Sequence, residues 1–349
     1  MGIFRYTPVR RHQEFGPLNM TKISRFSNNN LSEQTVCNVC GSGTTALHHG
    51  HYTPESPISW DSRSIMQLLG LSSMHTALRV CTHCLHMFRW PLYWERCIYS
   101  AEGDRCRKEN FEKAYPGQTF RGGDGRFDPE WFAKSARVFN YLSRLLASGF
   151  SSDQRGFIRT EPIRILDWGG GDGYISETIS LISNKVLSVP CHAYCYDFTD
   201  WNATNSPYFE GVSLEEVPQH GPYDIIILSH ILEHTSFPVD TVNQCAQYLR
   251  DHGLLLIVVP YEQPTWLFQK DTSPAAHQSA FSATSISHLL GVCGFRCLNI
   301  ELAYLSYRVF PMWNILVSAI RTNDQTVRKL FHLWKDLTWF GKALCKQFY

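Results

Sequence analysis

The sequence lacks an excess of charge of either sign. Its 349 residues contain 32 Lys and Arg against 31 Asp and Glu, which leaves a formal net charge of +1. A balanced charge gives no electrostatic reason to expect a nucleic-acid or membrane-surface partner. The hydrophobic content of 44% excludes a wholly disordered chain. The length is typical of two or three domains.

Long apolar runs are missing as well. The longest clean run, Leu254 to Val259, is far shorter than the roughly 20 residues that a membrane helix needs. Arg5, Arg10 and Arg11 are not followed by an apolar stretch, so we expect no secretory signal and a cytoplasmic protein. In that compartment the 12 cysteines should be metal ligands and small buried side chains rather than a disulfide framework.

Four of the cysteines form two Cys-x-x-Cys pairs, Cys37/Cys40 and Cys81/Cys84. One pair can point two thiolates at a single ion, and two pairs complete a tetrahedral zinc site. A redox pair or chance spacing is the alternative, but two pairs in tandem favour zinc. We therefore predict a zinc-binding module over residues 36–94, preceded by a flexible tail over residues 1–35.

Buried strands and helices alternate from Pro162 onward. Strands are predicted over Ile163–Asp167, His192–Tyr196, Tyr223–Ser229, Leu254–Val259, Phe295–Leu302 and Asn314–Ile320. The helices between them are predicted over Ile175–Ile182, along the apolar stripe Val239, Val242, Ala246 and Leu249, and from the N-cap Ser282 to Gly294. Such alternation predicts a parallel sheet with helices on both faces.

Two further helical segments flank this region. A helix from about Pro129 to Leu146 falls within residues 95–161, which we interpret as a helical linker that covers the acceptor as a lid. A C-terminal helix is predicted over residues 322–349.

A glycine-rich turn, Ile165-Leu-Asp-Trp-Gly-Gly-Gly-Asp-Gly-Tyr174, joins the first strand of this pattern to its helix. Glycine lets the backbone approach a ligand closely, and the start of a helix offers free N–H groups. A dinucleotide site of the G-x-G-x-x-G type would need glycine at the position of Tyr174. The observed spacing instead resembles motif I of class I S-adenosylmethionine-dependent methyltransferases.

That resemblance implies a set of cofactor-binding residues. In the family the glycine turn packs against the methionine part of the cofactor, the strand-end Asp holds its amino group, and an acid after the second strand bonds the ribose hydroxyls. A carboxylate offers two acceptors to a vicinal diol. The matching residues are Asp167, Gly169, Gly170, Gly171, Gly173 and Asp197, with Ser229 and His230 at the end of the fourth strand. A ligand-free turn beside a surface Asp is the alternative interpretation.

The resemblance covers residues 162–321 and implies a fold. It predicts an α/β, Rossmann-like, doubly wound sheet of seven strands, six of them parallel and one antiparallel, with a small N-terminal zinc-binding domain.

A four-cysteine module ahead of such a domain resembles the sugar C-methyltransferase family, whose substrates are nucleotide-linked keto-sugars. In that family a histidine before Phe-Ser acts near the reacting carbon, and His277 matches it in His-Gln-Ser-Ala-Phe-Ser282. A second family histidine corresponds to His234. Pro274 stands at the family's tyrosine position, so Tyr261 is the candidate for the missing phenol.

These observations predict a methyltransferase that transfers a methyl group from S-adenosylmethionine to carbon or oxygen of a small molecule, such as a nucleotide-linked sugar or a related metabolite. Since imidazole titrates near neutral pH, His277 and His234 are the candidate bases. Two other functions stay open. One is an RNA or protein methyltransferase that uses the zinc module for recognition, and the other is a non-catalytic interaction protein that binds the cofactor.

Overall fold

The computed structural model describes residues 36–56, 58, 60–90, 101–117, 138, 140–141, 162–171, 173–186, 190–197, 207–262, 277–305 and 312–322. The predicted tail, the predicted C-terminal helix beyond residue 322 and most of the predicted lid lie outside these residues. No helix among the described residues is both long enough and apolar enough to cross a membrane.

Strands and helices alternate through much of the described chain. The strands are β1 (Thr44–Tyr52), β2 (Met74–Cys81), β3 (Met87–Trp90), β4 (Ile163–Trp168), β5 (Cys191–Tyr196), β6 (Glu210–Gly211), β7 (Tyr223–Ser229), β8 (Leu249–Pro260), β9 (Ser279–Ala280), β10 (Phe295–Leu305) and β11 (Met312–Arg321). The helices are α1 (Trp60–Leu68), α2 (Ala101–Ala114), α3 (Tyr174–Leu181), α4 (Val217–His220), α5 (Pro238–Tyr248) and α6 (Ala283–Val292). A π-helical turn, Ile182–Val186, follows α3.

The larger sheet has the strand order β10-β11-β8-β7-β4-β5-β6. The pairs around β4, from β6 across to β8, are parallel. In contrast, β11 is antiparallel to both of its neighbours. This arrangement confirms the predicted Rossmann-like α/β fold with a mixed sheet. The chain winds outward from β4 in both directions, so the crevice at the carboxyl ends of β4 and β7 is the expected ligand site.

The core lies on both faces of the two central strands. Every residue of β7 from Tyr223 to Leu228 is buried. Two consecutive β7 residues, Ile226 and Ile227, enter separate apolar clusters on opposite faces of the sheet. Burial on both faces explains why Ile225 to Leu228 form a continuous apolar run rather than an alternating pattern.

Strand β8 begins earlier than predicted. The expectation that Leu249 closes the helical stripe is wrong, because Leu249 has extended backbone angles and pairs with Tyr223 of β7. Its side chain is nevertheless buried in the same cluster as Val242. A buried leucine next to the end of a helix satisfies either pattern, so the apolar stripe did not distinguish them.

Helix α6 has the predicted boundaries. The Ser282 hydroxyl accepts a hydrogen bond from the backbone N–H of Ser285, whose own hydroxyl accepts one from the N–H of Ser282. This reciprocal capping box stabilises the first turn of the helix. Gly294, with φ of 80°, follows the last turn.

A second sheet joins the N-terminal region to the part of the chain that forms the larger sheet. Its order is β1-β2-β3-β9, and all of its pairs are antiparallel. Strand β9 comes from the segment just before α6 and pairs Ser279 with Phe88 and Ala280 with Met87. The backbone N–H of Arg89 also donates to the carbonyl of Gln278 at 2.9 Å. The N-terminal sheet is therefore completed by residues that follow the larger sheet's central strands.

Helix α2, one described segment of the predicted lid, packs against α1. The Ser64 hydroxyl donates to the Cys106 carbonyl at 3.4 Å, and the Cys106 thiol donates to the Ser64 carbonyl at 3.5 Å. These two hydrogen bonds join the helices.

Candidate functional site

The glycine turn is fastened to the end of β5. Gly169, Gly171 and Gly173 have φ of 73°, 55° and 75°, a region that side-chain-bearing residues rarely occupy. The N–H groups of Gly169 and Gly170 donate to the Tyr196 carbonyl at 2.7 and 3.1 Å. The turn is therefore held in one conformation by the neighbouring strand.

Packing requires glycine at positions 170 and 173 of the turn and leaves space at position 171. A Cβ at Gly170 would lie 2.6 Å from the Cys195 sulfur, and one at Gly173 would lie 2.3 Å from the Phe209 ring. At Gly171 no atom of the described chain lies within 4 Å of the corresponding position. The open face of the turn is therefore at Gly171, where a ligand can approach the backbone.

Two carboxylates contact this turn or the helix that follows it. The Asp197 Oδ2 atom, directly after β5, accepts a hydrogen bond from the N–H of Gly171 at 2.8 Å. Asp167, near the end of β4, is buried and accepts a hydrogen bond from the Ser176 hydroxyl at 3.3 Å. The structure thus brings the predicted turn and both predicted acids together at the carboxyl edge of the sheet.

A second group of polar side chains follows β7. His230 has a left-handed backbone with φ of 58°, and its Nδ1 lies 3.0 Å from Oε1 of Glu233. The Glu233 side chain is only 1% exposed, and Nε2 of His234 lies 3.9 Å from the same oxygen. Ser229, the last residue of β7, has a buried hydroxyl with no hydrogen-bond partner among the described residues.

The second predicted base lies beside the first. The ring centroids of His234 and His277 are 5.0 Å apart in an edge-to-face arrangement. The Glu233 carbonyl accepts hydrogen bonds from the N–H groups of Gln278 and Ser279 at 2.7 and 3.0 Å. These backbone bonds hold the His277 segment against the turn after β7.

Glu262 is a site residue that the sequence analysis missed. Its Oε1 lies 2.6 Å from Nδ1 of His277. Burial raises the pKa of Glu262, but the His277 charge and hydrogen bond, together with Arg89, outweigh burial and lower the pKa below its ordinary value. Its place two residues after the end of β8, at the ligand-binding edge of a parallel sheet, is the signal that could have identified it.

Tyr261 precedes Glu262 and makes different contacts. Its backbone N–H donates to the Trp313 carbonyl at 2.8 Å, which continues the pairing of β8 with β11. Its partly buried ring packs against the main core cluster. The side chain that contacts His277 is therefore the carboxylate of Glu262, not the phenol of Tyr261.

The four cysteines of the two pairs converge, as the spacing predicts. Their sulfur atoms all lie within 4.8 Å of one another, with Cys37–Cys84 at 3.7 Å and Cys40–Cys81 at 3.4 Å. Four sulfurs bound to zinc at about 2.3 Å lie roughly 3.8 Å apart, so the arrangement fits a tetrahedral thiolate site.

Both cysteine pairs have the same backbone turn. The N–H of Gly41 donates to the Cys37 carbonyl at 3.0 Å, and the N–H of Leu85 donates to the Cys81 carbonyl at 3.2 Å. Gly41 and Leu85 both have positive φ, of 72° and 59°. Backbone N–H groups also point at the sulfurs, such as that of His83 at 3.3 Å from Cys81. Such donors stabilise thiolates, the form that binds a metal.

The thiols influence one another's ionisation. The pKa of Cys81 is lowered to about 7, and its hydrogen bond with Cys37 is the largest cause. The neighbouring thiols, Cys37 first, raise the pKa of Cys84. Four thiolates so close together repel one another, and a bound cation relieves that repulsion.

Comparison with known proteins agrees with the fold. Residues 136–300 match a family model described as a methyltransferase domain. The ubiquinone biosynthesis O-methyltransferase of Cereibacter sphaeroides is 22% identical over 136 residues, which cover 38% of this chain and 55% of that protein. The malonyl-[acyl-carrier protein] O-methyltransferase of Halalkalibacterium halodurans is 24% identical over 139 residues, 36% of this chain and 51% of that protein. The chain spans about half the length of the curated relatives it matches.

A solved structure in the comparison is the magnesium protoporphyrin IX methyltransferase of Synechocystis with bound S-adenosylhomocysteine. It has 15% identity and a TM-score of 0.40, over 58% of this chain and 91% of that one.

The strand order and the family match define the class. Residues 136–300 are a methyltransferase domain on a Rossmann-like α/β sheet. The domain is of the S-adenosylmethionine-dependent class I type, with the glycine turn after β4 and an acid after β5.

Proposed function

We propose that the chain transfers a methyl group from S-adenosylmethionine to an oxygen or carbon atom of a small molecule. The observation that carries the proposal is the meeting of His234 and His277, each beside a glutamate, at the sheet edge that also holds the glycine turn. Methyl transfer from a sulfonium is an in-line displacement in which the acceptor must be aligned and, for a hydroxyl or an acidic C–H, deprotonated.

The cofactor would lie on the open face of the glycine turn. Asp197 would accept hydrogen bonds from the ribose hydroxyls, because its carboxylate is already oriented by the N–H of Gly171. Asp167 and the glycines at 169–173 would hold the methionine part, with Ser229 and His230 at the neighbouring strand end. Backbone N–H groups and the start of α3 would face the cofactor carboxylate.

Glu262 would set the protonation of His277. A carboxylate that accepts a hydrogen bond from Nδ1–H leaves Nε2 without its proton, so Nε2 faces the acceptor as a base. Glu262 is therefore a positioning residue for His277, whereas Glu233 lies 3.9 Å from Nε2 of His234, beyond hydrogen-bond distance. Tyr261 stays a third candidate at the end of β8.

The four cysteines Cys37, Cys40, Cys81 and Cys84 would hold a structural zinc ion. The fit rests on the convergence of their sulfurs and on the two matching turns. The ion would stabilise the sheet whose last strand, β9, begins two residues after His277. Zinc would thus stabilise the sheet next to the His277 segment and would not take part in the reaction.

The acceptor class has two candidates. The names of the curated relatives describe O-methyltransferases of ubiquinone biosynthesis and of malonyl-[acyl-carrier protein], which favours an oxygen acceptor. A nucleotide-linked sugar is the second candidate, favoured by the four-cysteine module ahead of the domain and by His277 before Phe281-Ser282.

The test is to measure S-adenosylhomocysteine binding by calorimetry and methyl transfer to panels of hydroxylated aromatic acids, carboxylates and nucleotide sugars. We expect one panel to give turnover that His277→Ala reduces by roughly 100-fold to 10,000-fold, the usual contribution of a general base. His192→Ala, an exposed histidine in β5, is the matched control and should keep full activity. Absence of cofactor binding by the wild type would refute the proposal.

A further inference from the structure

We infer that Glu233, His234 and His277 form a binding site for a divalent transition-metal ion, separate from the four-cysteine site. The inference rests on the proposed methyl transfer and deepens it, with His234 and His277 as ligands of an ion in place of direct bases. A metal at this position selects acceptors with two neighbouring oxygen atoms, such as a catechol, an enediol or an α-hydroxycarbonyl compound.

The geometry of the three side chains suits one ion. Their donor atoms all lie within 4.8 Å of one another. Donors bound at about 2.1 Å lie roughly 3 to 4 Å apart in tetrahedral or octahedral sites, so small side-chain rotations would close the set. Two imidazoles and one carboxylate on one side of an ion leave its remaining positions open for substrate.

A second layer of contacts orients these donors. Glu262 contacts Nδ1 of His277 at 2.6 Å, which leaves Nε2 as the ring nitrogen available to an ion. His230 contacts Oε1 of Glu233 at 3.0 Å. A carboxylate on the distal nitrogen of a ligand histidine is a recurring feature of protein metal sites, because it fixes the tautomer and strengthens the ligand.

Burial supplies an independent argument. The Glu233 side chain is 1% exposed, while the side chains of His234 and His277 are each 19% exposed. A charged carboxylate removed from water is stabilised by a nearby positive charge. A divalent ion between Glu233 and the two partly exposed rings would supply that charge and still be reached from solvent.

Such an ion would replace direct proton abstraction by the histidines. The acceptor would bind through two oxygens, and the ion would lower the pKa of the bound hydroxyl so that its proton passes to water. The oxygen lone pair would then form the C–O bond to the methyl group, and the electrons of the C–S bond would remain on sulfur as S-adenosylhomocysteine leaves. In this form of the reaction His234 and His277 hold the ion.

The test is metal stoichiometry on the full-length chain. The metal-free protein is dialysed against Co²⁺ or Zn²⁺, and bound metal per chain is measured by elemental analysis. We expect about two ions in the wild type, about one in His277→Ala and Glu233→Gln, and about two in the control His192→Ala. Glu262→Gln should weaken the affinity of the second ion by roughly 10-fold to 100-fold.

The Co²⁺ spectrum identifies which ion is lost. A thiolate-to-cobalt charge-transfer band should persist in His277→Ala and Glu233→Gln and disappear in Cys37→Ser. A wild type with a single thiolate-bound ion, unchanged by His277→Ala and by Glu233→Gln, would overturn the inference. Calorimetry with S-adenosylhomocysteine on the same samples tests the proposed function separately, because cofactor binding does not require the second ion.

Discussion

The carboxylate of Asp197 accepts a hydrogen bond from the backbone N–H of Gly171 at 2.8 Å. This contact joins the end of β5 to the open face of the glycine turn that follows β4. An acid held in this way is oriented before a ligand arrives, so little conformational entropy is lost when it binds a diol.

Replacing this acid should weaken cofactor binding. Asp197→Ala removes the charged acceptor and leaves the Gly171 N–H without it. Hydrogen bonds to charged groups contribute about 1.5 to 3 kcal/mol, so we expect S-adenosylhomocysteine affinity to fall by roughly 10-fold to 100-fold. Calorimetry measures the change, with the exposed Asp251→Ala as control. Unchanged affinity in Asp197→Ala would remove this residue from the cofactor site.

Two glycines of the turn should respond differently to alanine. Gly171→Ala meets no described atom within 4 Å, so its cost is the left-handed backbone alone, about 1 to 2 kcal/mol. Gly173→Ala has the same backbone strain and also places Cβ 2.3 Å from the Phe209 ring. We expect Gly173→Ala to be the less stable in urea unfolding and Gly171→Ala to lose more cofactor affinity than its stability loss explains. Equal effects on stability would contradict the packing argument.

Loss of the thiolate site should weaken the pairing between β3 and the segment that follows His277. Cys81→Ser should release zinc and destabilise the chain by about 4 kcal/mol or more, a fall of roughly 10 °C in Tm. Because β3 lies between the cysteine turns and β9, the amide of Arg89, bonded to Gln278, should also lose hydrogen-exchange protection. Cys297→Ser, a partly buried cysteine of β10 that is not one of the four, is the control. Retained Arg89 protection in zinc-free Cys81→Ser would show that the two sites are uncoupled.

His86 should make stability depend on pH. It is fully buried beside the rings of Phe88 and Phe281, and burial lowers its pKa to about 3. Within the described chain neither ring nitrogen has a hydrogen-bond partner. His86→Phe removes these nitrogens and should stabilise the chain by about 1 kcal/mol at pH 7.

The sign of the pH effect follows from the lowered pKa. Below about pH 6.5 the unfolded histidine takes up a proton that the folded one excludes, down to about pH 3. The wild type should therefore lose about 1.4 kcal/mol per pH unit relative to His86→Phe in that window, and nothing above it. Urea unfolding at pH 7, 6 and 5 checks this, with the exposed His192→Phe as control. If the free energies of unfolding of wild type and His86→Phe differ by the same amount at all three pH values, the predicted pH dependence is wrong.

The sequence predicted those parts of the fold whose pattern has one interpretation. Strand β7 lies within its predicted bounds because six consecutive buried residues between polar ends are typical of a central parallel strand. The boundary at Leu249 failed because a buried leucine suits both the end of α5 and the start of β8. The local sequence pattern cannot assign Leu249 to helix or strand, because pairing with Tyr223 across the sheet determines its backbone conformation.

The candidate site was predicted unevenly for a related reason. The glycine turn, Asp197 and the four cysteines were recognisable because the chemistry requires particular residues at fixed spacing. Glu262 was missed because its importance comes from His277, which lies 15 positions away in sequence. Strand β9 was missed because two residues show no periodicity, and its pairing with β3 depends on tertiary structure.

The pairing of Met87 and Phe88 with Ala280 and Ser279 also bears on how the chain is made. Synthesis proceeds from the N-terminus, so β3 emerges from the ribosome long before its partner strand exists. Until β9 is translated, the outer edge of β3 carries unpaired N–H and C=O groups that invite contact with other nascent chains. A truncated N-terminal fragment would keep this exposed edge permanently, which makes the fragment prone to aggregation even when all four cysteines are loaded with zinc.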